Sequence, residues 1–331
     1  MSTFEYICIK LCSMETSIAF QITVQPTKNT EKIGLIALLH VVTFPSLRTL
    51  SIMVQEYVPD EALYRSVFRF ISKHHNTVRH LTFINPVLST KLNAGSVPQY
   101  CVGLEKVKLR SFTVAWEVPI GLELYWEFGH YLLECQRRLT KLELHTTSVE
   151  KAEIAISNNF RYLTEAIIEI SDTGDSAFDC SCFTHCAKLR TLVFHVSILV
   201  QIINVCKLPD TIQVLHWDAM YTRDDVRWFS RFLILAKAIY LYHDKDVPMD
   251  IFVPFTFADF VHFVRLPCLE QLYLPRIHIQ DPRVNRFCER HAEGLTQSKD
   301  FFLIDRQNFK FQDAFAQFSV SKTDCVNNNF L

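Results

Sequence analysis

Two stretches of this chain carry residue types that could do chemistry. Asp172-Thr173-Gly174 follows the segment Ala166–Ile170. A tight turn of this kind presents the carboxylate of an aspartic protease, which shares one proton with a twin carboxylate. The sequence holds no twin triplet. A half-enzyme that dimerises would also need a later apolar-apolar-Gly segment, and Gly294 downstream sits among polar residues. The triplet is expected to be a polar turn after a strand. Cys180, Cys182, His185 and Cys186 form a compact cluster, with Cys206 further on. Four such groups could hold zinc tetrahedrally. The spacing is not a paired C-x-x-C arrangement, however, and Cys180 and Cys182 would diverge on a helix. Burial as small hydrophobes is the expectation. A hydrolase near Asp172, or a zinc-dependent enzyme around Cys180–Cys186, is the alternative to a binding function.

Other chemistries lack their signatures. There is no Gly-x-Ser-x-Gly elbow, no Cys-Gly signature of a thiol protease, no glycine-rich phosphate loop and no His-Glu-x-x-His motif. Seven glycines leave little material for phosphate-cradling loops. His74 and His75 close a predicted helix, where a cation is favourable, and are read as helix-end residues. No catalytic residue, metal ligand or cofactor is expected, and the chain is read as a non-enzyme.

Composition sets the wider bounds. Of 331 residues, 49% are hydrophobic and 21% charged, enough apolar material for a substantial core. The formal net charge of -1 gives no reason to expect nucleic acid or an anionic membrane as partner. The longest apolar stretches, Ile33–Val42 and Val196–Cys206, are too short to span a bilayer. Eleven scattered cysteines and no recognisable signal peptide imply a reducing compartment, the cytoplasm or nucleus.

What must position any site is a repeating pattern: apolar, two residues, apolar, one residue, apolar. It runs Leu47, Leu50, Ile52; Val78, Leu81, Phe83; Leu104, Val107, Leu109; and Leu139, Leu142, Leu144. It continues with Leu163, Ala166, Ile168; Leu189, Leu192, Phe194; Ile212, Leu215, Trp217; Ala236, Ile239, Leu241; and Leu269, Leu272, Leu274. Ala19, Ile22 and Val24 read as a degenerate opening copy. Successive first positions lie 23 to 35 residues apart, and a leucine-rich repeat runs about 20–29 residues. Between triplets, Pro59–Lys73 and Gly121–Arg138 carry helical apolar faces. Thr222 and Asp225 form a capping-box pattern ahead of Val226, Phe229 and Leu233. A short strand therefore alternates with a helix.

The stretches "FPSLRTLSI", "CVGLEKVKLR", "HCAKLRTLVF", "LPDTIQVLHW" and "LPCLEQLYL" resemble repeats of leucine-rich-repeat F-box proteins, particularly the divergent fungal ones. The resemblance runs from Phe44 to Ile279. It implies a solenoid with a parallel concave sheet and convex helices, and by family a part in choosing substrates for ubiquitination through a ligase adaptor. Two departures stand out. The Asn or Cys expected three residues after the third apolar position is replaced by Gln55, Pro86, Phe112 and Thr147. Met1–Lys32 contains nothing like an F-box.

The expected layout is an α/β irregular leucine-rich-repeat solenoid over 44–280. Residues 1–43 are an N-terminal cap of edge strand and helix, 281–320 a C-terminal cap in which Val284, Phe287, Cys288 and His291 suit a helix, and 321–331 a disordered tail. The expected function is protein recognition on the concave face, with a non-degradative scaffold as a further alternative. Period two puts the binding residues beside each middle apolar position. These are Lys106, Lys108 and Arg110; Lys141, Glu143 and His145; Glu165 and Glu169; Thr191 and His195; His216 and Asp218; Tyr240 and Tyr242; and Gln271 and Tyr273. The face is expected to pass from basic, through mixed charge, to aromatic.

Overall fold

The computed structural model describes residues 8–14, 17–24, 29–54, 61–84, 104–115, 135–146, 148–171, 176–197, 200–242, 256–275, 282–283, 286, 295–297 and 301–305. The turn Asp172–Gly174, the tail from 321 and most of Gly121–Arg138 lie outside them. The chain is an α/β protein that divides into two compact units, Met1–Pro209 and Asp210–Leu331.

The first unit is built on strands that follow the apolar triplets. β1 (Cys8–Met14) and β2 (Ser17–Val24) pair antiparallel. Parallel pairing then runs from β2 through β3 (Leu47–Val54), β4 (His80–Ile84), β5 (Ser111–Ala115), β6 (Lys141–Thr146) and β7 (Glu165–Ile170) to β9 (Thr191–Val196). Parallel neighbours require a crossover, and helices supply it where they are described. They are α1 (Asn29–Val41), α2 (Glu61–Lys73) and α3 (Val149–Asn159). Short β8 (Ala177–Asp179) and β10 (Gln201–Ile203) pair parallel in a separate ribbon.

Alternation decides which side of each strand is core. β6, β7 and β9 alternate strictly between half-buried and buried positions. Leu142, Leu144, Ala166, Ile168, Leu192 and Phe194 are each at most 1% exposed. Their Cα partners stand in register, Leu142 beside Ala166 and Ala166 beside Leu192. The triplet therefore sets strand position as well as burial.

Two assignments from the sequence are corrected. The third strand is β5, and Phe112 and Val114, not Val107 and Leu109, stand beside Leu81 and Phe83. The working triplet is Leu109, Phe112, Val114. Leu104–Lys106 forms a 3-10 turn before it. Both triplets are buried, because the apolar sequence runs on through two overlapping copies of the pattern, and strand pairing rather than hydrophobicity selects between them. At the N-terminus, Phe20 and Ile22 stand beside Leu50 and Ile52, so the opening copy is displaced from Ala19, Ile22 and Val24. This segment also supplies two strands with α1, where one edge strand and a helix are expected.

The second unit repeats the scheme. β11 (Val214–Asp218), β12 (Ala238–Leu241) and β13 (Gln271–Pro275) pair parallel, with Leu215, Ile239 and Leu272 in one register. Helices α4 (Arg223–Phe232) and α5 (Phe257–Val264) cross between them. Thr222 and Asp225 close the expected capping box: the Asp225 N–H donates to Thr222 Oγ1, and Asp225 Oδ2 accepts from the Thr222 N–H at 2.7 Å. Thr256 and Asp259 repeat it at α5. β15 (Phe301–Asp305) pairs antiparallel with β13, and β14 (Leu295–Gln297) with β15. Where it is described, the cap expected over 281–320 contributes these two strands. Pro282, Arg283 and Arg286 keep helical backbone.

Buried polar side chains tie successive triplets in the first unit. At the end of α2, His74 is 3% exposed, and its Nε2 accepts the Phe44 N–H at 2.9 Å. Gln136 accepts the Leu109 N–H at 2.9 Å and donates to the Val107 carbonyl at 3.1 Å. Asn159 accepts the Leu139 N–H at 3.1 Å and donates to the Ala155 carbonyl. Each satisfies backbone that would otherwise be buried without a partner, at a cost of about 1–3 kcal/mol per group.

Candidate binding face

The candidate face is the side of each sheet opposite the buried triplets. In the second unit it carries rings. The β11–β12–β13 register puts His216, Tyr240 and Tyr273 on one rung. The Tyr242 N–H donates to the Trp217 carbonyl, which carries the ladder past the end of β12. His216 stacks on Tyr240 with ring centroids 4.2 Å apart and planes 17° from parallel. Tyr242 packs against Tyr273 at 5.1 Å, and Tyr240 lies 6.3 Å from Tyr273. All four rings are half-buried, whereas Leu215, Trp217, Ile239, Leu241, Leu272 and Leu274 on the other side are core. The tyrosines thus belong to the solvent-facing side.

Their polar ends are fixed as well. The Tyr242 hydroxyl lies 3.1 Å from His216 Nδ1, and the Tyr240 hydroxyl donates to Gln271 Oε1. Burial, reinforced by Tyr273, Tyr240 and Asp218, raises the Tyr242 phenol above its ordinary value, so the ring stays a neutral donor. The result is a rigid amphipathic surface of four rings. Such surfaces lose little side-chain entropy on binding.

The first unit presents charge on the corresponding side. Lys141 Nζ pairs with Glu165 Oε1 at 2.7 Å across β6 and β7. Four residues further along both strands, His145 Nδ1 lies 3.1 Å from Glu169 Oε2. Thr113 Oγ1 donates to Glu143 Oε2 at 3.2 Å. Thr191 and His195 continue the face on β9, half-buried. These are cross-strand neighbours in register, as the sequence positions require. The charges of Lys141 and Glu165 thus offset one another.

The basic end is corrected. Lys106 lies in the 3-10 turn, and Lys108 and Arg110 precede β5, so the three do not alternate along a strand. Ser111 and Thr113 take the β5 positions on this face. Arg110 instead continues a row with Arg48 and Arg79: the Arg79 N–H donates to the Arg48 carbonyl at 2.8 Å, and the Arg110 N–H to the Arg79 carbonyl at 2.7 Å. The signal was present in sequence, since an arginine follows the first apolar residue of three successive triplets: Leu47-Arg48, Val78-Arg79 and Leu109-Arg110.

The cysteine cluster folds into the 3-10 turn Cys180–Phe183 and the turn after it. Cys180 and Cys186 are fully buried, and Cys182 is partly so. Burial pushes the Cys186 thiol up to about 12, and burial together with the neighbouring thiols and carboxylates pushes Cys182 up strongly. A thiol so raised is a poor nucleophile, because the thiolate is the reactive form. His185 is exposed, with its ring 5.9 Å from Phe160. Among the described residues no three His, Cys, Asp or Glu side chains converge to hold a metal ion, and no helix is long and apolar enough to cross a membrane. No protein-family model matches this chain, and no curated protein shows significant sequence similarity to it.

Proposed function

We propose that this chain is a protein-recognition module, an irregular array of leucine-rich-repeat type that acts by holding another protein rather than by chemistry. The observation that carries the reading is the ring surface of His216, Tyr240, Tyr242 and Tyr273 on the solvent-facing side of its sheet. Tyrosine offers large contact area with a polar end, and is enriched at interface hot spots. The neutral thiols of Cys182 and Cys186 further favour binding over nucleophilic catalysis. The cytoplasm or nucleus is the compartment we propose, supported by the free thiols at Cys182 and Cys186. A role as substrate receptor in a ubiquitin ligase rests on the family resemblance, and co-purification of a ligase adaptor tests it separately.

The test is proximity labelling to identify the partner, followed by affinity measurement with Tyr240→Ala/Tyr273→Ala. That double variant is expected to bind at least about 2 kcal/mol more weakly, as hot-spot truncations do, with its melting curve close to wild type. Arg69→Ala, an exposed position on α2, serves as control. Loss of binding in the control but not in the tyrosine variant would place the interface elsewhere.

A further inference from the structure

The arginine row has a consequence apart from the ring surface. A cleft of about 350 Å3 opens in the first unit where β3 and β4 begin and β5 is about to begin. It is lined by Arg48, Arg79, Arg110 and His80, with Ser46 and Thr77 contributing hydroxyls. Among the described residues, no carboxylate lines it. Among the described residues, no Asp or Glu pairs with any of the three arginines.

Adjacent strands lie about 4.8 Å apart, so the three arginines start from backbone positions within about 10 Å of one another. Like charges directly opposite on neighbouring strands are destabilising. Further along, the row reads Thr140, Thr164 and Arg190, where no two cations are neighbours. Arg79 is also pre-oriented. Its guanidinium donates to the Asn76 carbonyl at 2.8 Å and to the Val78 carbonyl at 2.9 Å, which leaves further N–H donors of its fork. Burial, with a smaller push from the charge of Arg110, holds the His80 imidazole below its ordinary value.

We propose that this cleft is a binding site for a compact, doubly charged oxyanion, a phosphate or phosphate monoester, gripped by Arg48, Arg79 and Arg110. Planar guanidinium groups match phosphate oxygens through paired hydrogen bonds, and a dianion would turn the mutual repulsion of three cations into attraction. The Ser46 hydroxyl supplies a neutral donor at the rim, whereas that of Thr77 already donates to the His74 carbonyl at 3.2 Å. The same chemistry is offered by a free phosphate and by a phosphorylated side chain on a peptide. Neither source depends on the ring surface of the second unit.

The experiment uses the full chain and three probes: inorganic phosphate, a phosphoserine peptide and the same peptide unphosphorylated, at constant ionic strength with chloride as balance. Binding is followed by calorimetry and by the His80 imidazole resonances. Phosphate or the phosphoserine peptide is expected to bind and to shift His80, and the unphosphorylated peptide is not. A phosphopeptide at least tenfold tighter than phosphate identifies a modified protein as the source, and equal affinities identify the small anion. Arg48→Gln/Arg110→Gln is expected to weaken binding at least tenfold. It leaves Arg79, with its backbone contacts, in place, and an unchanged melting curve verifies its fold. The proposal is overturned if neither phosphate probe binds, if chloride alone reproduces the His80 shift, or if the double variant binds as wild type.

Discussion

The Phe44 N–H donates to His74 Nε2 at 2.9 Å across thirty positions of sequence, while His74 Nδ1–H donates to the Phe70 carbonyl at 2.8 Å. Both ring nitrogens are thus committed, and the geometry requires the neutral imidazole. Protonation would place a second donor against the Phe44 N–H.

Stability should therefore fall in mild acid. Burial, with a smaller push from Lys73, holds His74 below its ordinary value of 6.5 against the opposing Phe70 hydrogen bond. The unfolded chain binds the proton more readily, so the His74 contribution is complete above about pH 6.5 and is lost as pH falls towards the folded-state value. Urea unfolding at pH 5, 6, 7 and 8 should give a falling midpoint below 6.5 and little change above. His80 and His262 are lowered too and act with the same sign. His74→Gln should thus flatten the slope without abolishing it. His74→Ala should cost about 1–3 kcal/mol, since it strands the Phe44 N–H, while the Phe70 carbonyl keeps the His74 backbone N–H.

The corrected register of β5 makes a separate prediction. Phe112→Ala should destabilise by about 3–5 kcal/mol, the usual cost of emptying a buried phenylalanine site. Lys106→Ala and Lys108→Ala, both exposed, should change stability by less than about 0.5 kcal/mol. Chemical denaturation of the three variants distinguishes β5 at Ser111–Ala115 from a strand beginning earlier.

On β6, neighbours on opposite sides should behave oppositely. Leu142→Asp puts a carboxylate into a fully buried position and should unfold the chain, a penalty comparable with a whole domain's stability of about 5–15 kcal/mol. Glu143→Ala loses one half-exposed hydrogen bond from Thr113 and should cost less than about 1 kcal/mol. Equal damage in thermal melts would contradict the assigned sides.

Cysteine labelling tests the buried turn. At pH 8, iodoacetamide should modify exposed Cys206 at least tenfold faster than Cys180 or Cys186. Unfolding in urea should erase the difference. Peptide mass spectrometry after timed quenching reads it directly.

The strands were legible because burial and pairing follow one period. Leu215, Ile239 and Leu272 occupy equivalent places whatever their local propensity, and even Ala236, a weak hydrophobe, is fully buried at its expected position. The ring surface was legible for the same reason, since its residues fill the alternate positions. Two things were not. Leu109 belongs to two overlapping triplets, and pairing with Leu81 and Phe83 on one side and Leu142 and Leu144 on the other decides between them. The wrong choice placed Glu105 where Arg110 belongs and hid the arginine row. The backbone ties were missed because the expected Asn or Cys follows a strand, whereas His74, Gln136 and Asn159 precede the next one.

That reversal bears on how such a chain can change over evolutionary time. Val78, Leu139 and Leu163 follow their polar partners His74, Gln136 and Asn159 by four, three and four residues. An insertion there would break the bond from the Val78 N–H to the His74 carbonyl, or from the Leu163 N–H to the Asn159 carbonyl, and so detach the tying side chain from the strand it precedes. An insertion upstream, between the preceding strand and the polar residue, leaves these bonds intact. Length variation should therefore accumulate on one side of each tie, and an engineered loop inserted after residue 54 should be accepted where the same loop after Asn76 is not.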